Sequence, residues 1–236
     1  MAGNSTVAYS PLTGSGQPGI YGTFDTPAAG NQPGSRVYAV GWTDIKGNLW
    51  LFGGHGFDAN GDVGELNDLW KFDPSTNEWT WMGGSSTLPC YDAAADECYG
   101  QPGVYGTLGT PAAGNIPGGR SEATGWTDRN GNFWIYGGLG WDVREIECYP
   151  NDLWEYSPSA SVWTWWGGMN SCPNFESGWK GVYGTLSVPA AGNNPWSLYL
   201  ATSWTDTSGN LWLFGGYEED PSAVGYWIND VWEFYP

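Results

Sequence analysis

The sequence predicts an all-β fold made of three copies of one structural unit. The same motifs recur in the same order, and their aligned tryptophans Trp42, Trp126 and Trp204 give repeat lengths of 84 and 78 residues. No window has the 3.6-residue apolar period of a helix, whereas short alternating apolar segments are separated by turn residues. The chain also holds 38 glycines and 18 tryptophans, a composition typical of short strands with tight turns and flat, bulky core side chains.

The first copy divides into four short strands. Apolar alternation indicates strands within 35–44, 49–54, 68–73 and 78–84, and a long polar loop is expected between the second and third of them. Four antiparallel strands in a unit of about 50 residues are the plan of a propeller blade. The three repeats therefore predict a β-propeller with three blades per chain.

The motifs resemble the kelch repeat. A glycine pair ends the second strand in each copy, a tryptophan follows in the third strand, and a later tryptophan stands in the fourth; the residues are Gly53-Gly54, Gly137-Gly138, Gly215-Gly216, Trp70, Trp154, Trp232, Trp79 and Trp163. The recurring "VYGT…PAAGN" segments resemble long-repeat bacterial kelch proteins. The resemblance implies a propeller with the first strand innermost and the fourth outermost. We expect one body over 1–236, with an N-terminal strand in 1–15 and repeats at 16–100, 101–178 and 179–236.

The third repeat ends at its third strand. Residues Thr6–Ser10 are suited to supply the missing outer strand, in the way that terminal strands close a ring. Three blades are fewer than the roughly four to eight of typical propellers. We therefore expect a head-to-tail homodimer with six blades, in which each N-terminal strand completes the third blade of the other copy. The alternative is that the chain is a fragment of a longer repeat protein.

Charge and cysteine content restrict the environment and the partners. The formal net charge of −18 disfavours nucleic acids and anionic membrane surfaces as partners. Cys90, Cys98, Cys148 and Cys172 form no CxxC pair, which argues against a zinc site and favours disulfides in a secreted, extracellular or periplasmic protein. Local pairing of Cys90 with Cys98 and of Cys148 with Cys172 is one connectivity; the crossed pairings stay open.

Catalytic chemistry has little support in the sequence. His55 is the only histidine, so any nucleophile–histidine arrangement would have to use it. Asp58, Asn60 and Asp62 alternate like the first ligands of a calcium loop, but Leu69 stands where such a loop needs a bidentate glutamate. We therefore expect no cofactor, with calcium as the alternative, and a protein that is not an enzyme.

The long loops carry the stronger functional signal. The loop after the second strand and the segment between blades emerge on one face of a blade, and both are rich in aromatic and acidic residues. The predicted ligand-binding residues are Phe57, Trp141, Tyr149, Trp179, Tyr217 and Trp227. Aromatic rings beside carboxylates suit a glycan or a protein partner. The alternatives are a structural protein that assembles through its open blades, and an extracellular hydrolase or lyase.

Overall fold

The computed structural model describes residues 9–10, 14–90, 98–219, 222 and 224–236, and all of its regular structure in these residues is β. The chain divides into two compact units: residues 1–101 with 118–121, and residues 102–117 with 122–236. The first unit contains the first repeat with a short segment of the second, and the second unit contains the rest of the second repeat and the third. The prediction of an all-β fold with four-stranded antiparallel blades is confirmed.

The first unit contains one complete blade. Its strands are β1 (Tyr9–Ser10), β2 (Gly14–Ser15), β3 (Arg36–Val37), β4 (Val40–Thr43), β5 (Leu49–Phe52), β6 (His55–Phe57), β7 (Val63–Glu65), β8 (Leu69–Asp73), β9 (Glu78–Gly83) and β10 (Arg120–Ser121). The blade is antiparallel in the order β4-β5-β8-β9, and β3-β6-β7 form a small second sheet. The four main strands lie within the segments that the apolar alternation predicts. The expected loop between β5 and β8 instead contains the hairpin β6-β7.

The second unit contains two blades. Its strands are β11 (Thr124–Thr127), β12 (Phe133–Tyr136), β13 (Leu139–Trp141), β14 (Glu147–Cys148), β15 (Leu153–Ser157), β16 (Val162–Gly167), β17 (Thr202–Thr205), β18 (Leu211–Phe214), β19 (Tyr217–Glu219), β20 (Gly225–Trp227) and β21 (Val231–Phe234). The second blade has the order β11-β12-β15-β16. The third has only β17-β18-β21 among the described residues, so β21 is an edge strand. Most of 1–15, which was expected to supply a fourth strand, lies outside the described residues.

An aspartate organises the turn between the first two strands of each blade. In the third blade, Asp206 Oδ1 accepts the backbone N–H groups of Ser208 and Asn210. Its Oδ2 accepts the Asn210 amide and the Trp212 indole N–H. Asp44 and Asp128 make the equivalent contacts, which explains the repeated "WTD…GN.W" motif.

The hydrogen bonds to Asp206 make the third turn sensitive to pH. The indole N–H of Trp212, together with the Asn210 and Ser208 donors, lowers the pKa of Asp206 below the ordinary value of 3.8. A lowered pKa stabilises the fold above about pH 4, and that contribution disappears as the pH falls through the folded-state pKa. Asp206→Asn should therefore lower the melting temperature at pH 7 and have a smaller effect at pH 3. Thermal denaturation of both proteins at the two pH values checks this, and an equal effect at both would contradict it.

The glycine pairs adopt a left-handed backbone conformation. In the first blade, Gly53 and Gly54 have φ of 64° and 96°, in the left-handed region that disfavours residues with a Cβ. A Cβ on Gly53 would lie 2.6 Å from the carbonyl oxygen of Arg120. The pair thus allows a second backbone segment to approach the blade closely, and the Gly54 N–H donates to the same carbonyl at 2.8 Å.

A buried polar network ties the "VYGT" and "NDLW" motifs together. Asp68 is fully buried and accepts the hydroxyl of Tyr21 at 2.6 Å and the indole N–H of Trp70 at 2.7 Å. The Arg36 guanidinium binds both of its carboxylate oxygens, at 2.5 and 2.8 Å. In the second blade, Asp152 accepts the Tyr105 hydroxyl and the Trp154 indole in the same way. These motifs are therefore structural.

Candidate functional site

Four aromatic rings of the second unit form a continuous row. Tyr149 stacks on Tyr199 with ring centroids 4.9 Å apart and an interplanar angle of 14°. Tyr199 contacts Tyr217 at 5.3 Å, and Tyr217 contacts Trp227 edge-on at 4.9 Å. We call Tyr149, Tyr199, Tyr217 and Trp227 the aromatic row. The row brings together three of the six aromatic residues that the sequence predicts as ligand-binding.

Backbone pairing fixes the row in place. Tyr217 and Trp227 face each other across the β19-β20 hairpin. Tyr199 and Tyr217 exchange two backbone hydrogen bonds of 3.0 Å, and the Tyr149 N–H donates to Ser177 at 3.1 Å. The rings are thus carried by paired main chain, so a ligand would meet a surface that is already ordered.

The exposure of the row increases towards Trp227. Tyr149, Tyr199 and Tyr217 are half-buried. Trp227 is 84% exposed, the largest exposure of any tryptophan among the described residues. An exposed indole on a supported hairpin is a common anchor for a binding partner.

Tyr199 is the member of the row that the sequence analysis missed. It lies before β17, at the position held by Val37 on β3 in the first repeat and by Ser121 on β10 in the second. An alignment of the three repeats shows that an aromatic residue stands there only in the third. That difference was the available signal, but Tyr199 lies outside the long loops from which the candidates were taken.

The other three predicted aromatic residues pack within the fold instead. Trp141 is buried. Trp179 is half-buried, and its indole N–H donates to the Ser171 carbonyl at 2.7 Å. The half-buried ring of Phe57 lies against the backbone of Gly16, since a Cβ on that glycine would come within 1.9 Å of the ring. These three residues are not members of the aromatic row as its ring contacts define it.

The predicted calcium ligands form a turn. Asp58 is buried; its Oδ1 accepts the backbone N–H groups of Asn60 and Asp62 at 2.7 and 2.9 Å. Its Oδ2 accepts the Leu88 N–H at 2.8 Å. Asp142 makes the same contacts in the second repeat. Both oxygens of Asp58 therefore already accept hydrogen bonds that support the loop.

The cysteines pair locally. Cys90 bonds to Cys98 and Cys148 to Cys172, with Cα–Cα distances of 4.7 and 6.2 Å. Asp62 lies beside the first disulfide and Asp142 beside the second. Oxidised cysteines offer no thiolate, so these two clusters lack the ligands that a zinc site needs. The disulfides instead brace the loops of the first and second repeats.

His55 is held by a glutamate. It begins β6, and its Nδ1 lies 3.0 Å from Oε1 of the buried Glu65 on β7. The contact joins residues that are directly opposite in the hairpin. His55 and Glu65 therefore form a cross-strand pair within the β6-β7 hairpin.

The comparisons with known proteins agree with the blade architecture. The Kelch motif matches residues 45–80, which hold β5 to β8 and the start of β9. The chain thus carries a kelch motif, the repeat of one class of β-propellers, in its first blade. No curated protein matches the chain.

A solved structure also resembles the chain. The structure of YjhT matches 85% of this chain with a TM-score of 0.45 and 16% sequence identity. The match covers 54% of YjhT, so the chain spans about half the length of that protein.

In the described residues no helix has the length and apolarity needed to span a membrane.

Proposed function

We propose that the protein is a secreted, non-enzymatic binding module that recognises a neutral glycan through the aromatic row. The observation that carries the proposal is the contiguous row of Tyr149, Tyr199 and Tyr217 that ends in the exposed Trp227. The CH faces of a sugar ring stack on such rings, while its hydroxyl groups find polar partners at the edges.

The net charge of the chain determines whether charged or neutral glycans are the favoured ligands. At −18 the protein repels anionic sugars, so uncharged oligosaccharides are the ligands that the proposal favours. Two disulfides support an oxidising location, where extracellular glycans are available.

Isothermal titration calorimetry with neutral hexasaccharides tests the proposal. The probes are the β-1,4-linked hexamers of glucose, xylose, mannose and N-acetylglucosamine. We expect binding to at least one, and Trp227→Ala should weaken it about tenfold, which corresponds to about 1.4 kcal/mol. Trp166→Ala is the matched control, since Trp166 is also exposed but donates its indole N–H to Glu155 away from the row. Absence of binding to all four, or equal affinity of the Trp227 variant, would refute the proposal.

A protein ligand is the second candidate. A kelch-type blade fold suggests a protein-interaction module. Phe175 in the segment after the second blade is exposed, and so are Tyr226 and Trp227 on β20. Exposed aromatic residues of this kind are typical of protein contact surfaces. Failure of all four oligosaccharides would leave this candidate as the better one.

A further inference from the structure

The third blade has an open apolar face on its strands β17, β18 and β21. Trp204 is 44% exposed and Phe214 is 42% exposed. The residues at the same positions in the second blade are Trp126 and Tyr136, which are 6% and 3% exposed. Val231 on β21 is exposed as well. The third blade therefore presents to solvent the residues that the second blade buries.

Within the second unit, the third blade covers the face of the second. Trp126, Trp134 and Tyr136 form one buried cluster with Leu198, Leu211 and Leu213 of the third repeat. The Trp126 indole N–H donates to the carbonyl of Trp212 at 2.7 Å. We call this contact between the second and third blades the template contact. It shows that such a face binds the second strand of the next repeat.

Backbone groups at the open face also lack the partners that their equivalents have. The N–H of Gly54 donates to the carbonyl of Arg120, and the N–H of Gly138 donates to that of Leu198. In the first repeat the Leu66 carbonyl also accepts the Arg120 N–H at 3.0 Å. Their equivalents in the third repeat are the Gly216 N–H and the Ile228 carbonyl, which have no hydrogen-bond partner among the described residues.

The first repeat carries the complementary residues. Arg36 aligns with Arg120 and Leu198, and Leu49 aligns with Leu211, which is 2% exposed in the template contact. Leu49 itself is 46% exposed, and Val37 beside Arg36 is exposed too. The first repeat therefore has an unfilled position of the kind that the third repeat fills against the second.

We propose that the open face of the third blade binds the first repeat of a second copy of this chain. Leu49 of that copy packs against Trp204 and Phe214, as Leu211 packs against Trp126 and Tyr136. The Trp204 indole N–H donates to the carbonyl of Trp50 of that copy, and the Gly216 N–H donates to the carbonyl of its Arg36. The contact joins two different surfaces, so it is heterologous.

The contact adjoins the aromatic row at one end only. In the second repeat, Tyr149 stacks on Tyr199 of the next repeat. Trp227 is the equivalent of Tyr149, and Val37 is the equivalent of Tyr199. The docked copy thus brings Val37 to Trp227, while Trp204 and Leu49 lie outside the row. Variants of these two residues test association and leave the four side chains of the aromatic row in place, although Trp227 loses its contact with Val37 when the copies separate.

Light scattering after size exclusion tests the proposal with two complementary variants. The wild type should have a mass at or above twice the 25.6 kDa of one chain. Trp204→Arg destroys the open face and Leu49→Arg destroys the complementary surface, so each variant alone should have the mass of a single chain. A mixture of the two retains one intact heterologous contact and should regain twice that mass. Leu186→Arg, at a leucine that is 93% exposed, should behave as the wild type.

Several results would overturn the proposal. The first is a wild type that keeps the mass of a single chain up to millimolar concentration. The second is that either variant alone keeps the wild-type mass. The third is a mixture of the two variants that fails to associate although the wild type does. Circular dichroism melts establish that each variant is folded, and Val231→Arg serves as a second variant on the open face should Trp204→Arg not fold.

Discussion

Asp68→Asn is expected to lower the free energy of unfolding by about 3–5 kcal/mol. Asp68 is fully buried, and the buried guanidinium of Arg36 binds both of its carboxylate oxygens. Asparagine has nearly the same shape but no charge, so the substitution leaves Arg36 as an uncompensated buried cation. The introduced amide would also face the Arg36 donors with its own N–H groups.

The third repeat provides the matched control for Asp68. Asp230 accepts the Tyr183 hydroxyl and the Trp232 indole N–H, as Asp68 accepts those of Tyr21 and Trp70. Leu198 stands where the first repeat has Arg36, and one oxygen of Asp230 has no partner among the described residues. Asp230→Asn therefore leaves no buried cation without a counter-charge, and it should lower the free energy of unfolding by about 1 kcal/mol or less. Urea denaturation measures both variants, and equal losses would contradict the assigned role of Arg36.

Trp154→Ala should lower the free energy of unfolding by a similar amount, about 3–5 kcal/mol. Trp154 is fully buried in the second blade. Its ring packs 4.8 Å from Tyr105 and 6.5 Å from Trp163, and its indole N–H donates to Asp152 at 2.7 Å. The substitution removes these ring contacts and leaves a cavity that the paired strands cannot fill.

Trp166→Ala is the control for the tryptophan substitution. Trp166 lies on β16 of the same blade but is 42% exposed. Its removal should change the free energy of unfolding by less than about 1 kcal/mol. Urea denaturation followed by circular dichroism compares the two variants. A loss at Trp166 as large as that at Trp154 would contradict the account of the blade core.

The blade strands could be predicted because their signal is local. The segments at 49–54 and 68–73 hold β5 and β8, since apolar side chains stand at the positions that each pleated strand buries. The hairpin β6-β7 was not predicted. Its strands have three residues each, with glycine at the centre. Backbone pairing forms these strands, and the sequence has no apolar alternation there from which they could be predicted.

The candidate site could be predicted only in part. Tyr149, Tyr217 and Trp227 were found because they lie in loops that the sequence shows to be rich in aromatic residues, but their neighbour Tyr199 lies in the segment before β17. Trp141 and Phe57 were chosen for the same composition, but Trp141 is buried and the ring of Phe57 lies against Gly16. Composition identifies which loops are aromatic; which rings meet depends on pairings between distant segments, such as Tyr199 with Tyr217.

The side chain of Trp227 itself gives the most direct test of the proposed function. We would label the tryptophans with 5-fluorotryptophan, assign the Trp227 resonance with Trp227→Phe, and titrate a binding neutral hexasaccharide while recording ¹⁹F spectra. The account predicts that the Trp227 resonance moves with ligand concentration while that of the buried Trp154 stays fixed. A ligand that binds by calorimetry but leaves the Trp227 resonance unchanged would contradict the claim that the aromatic row is the binding site.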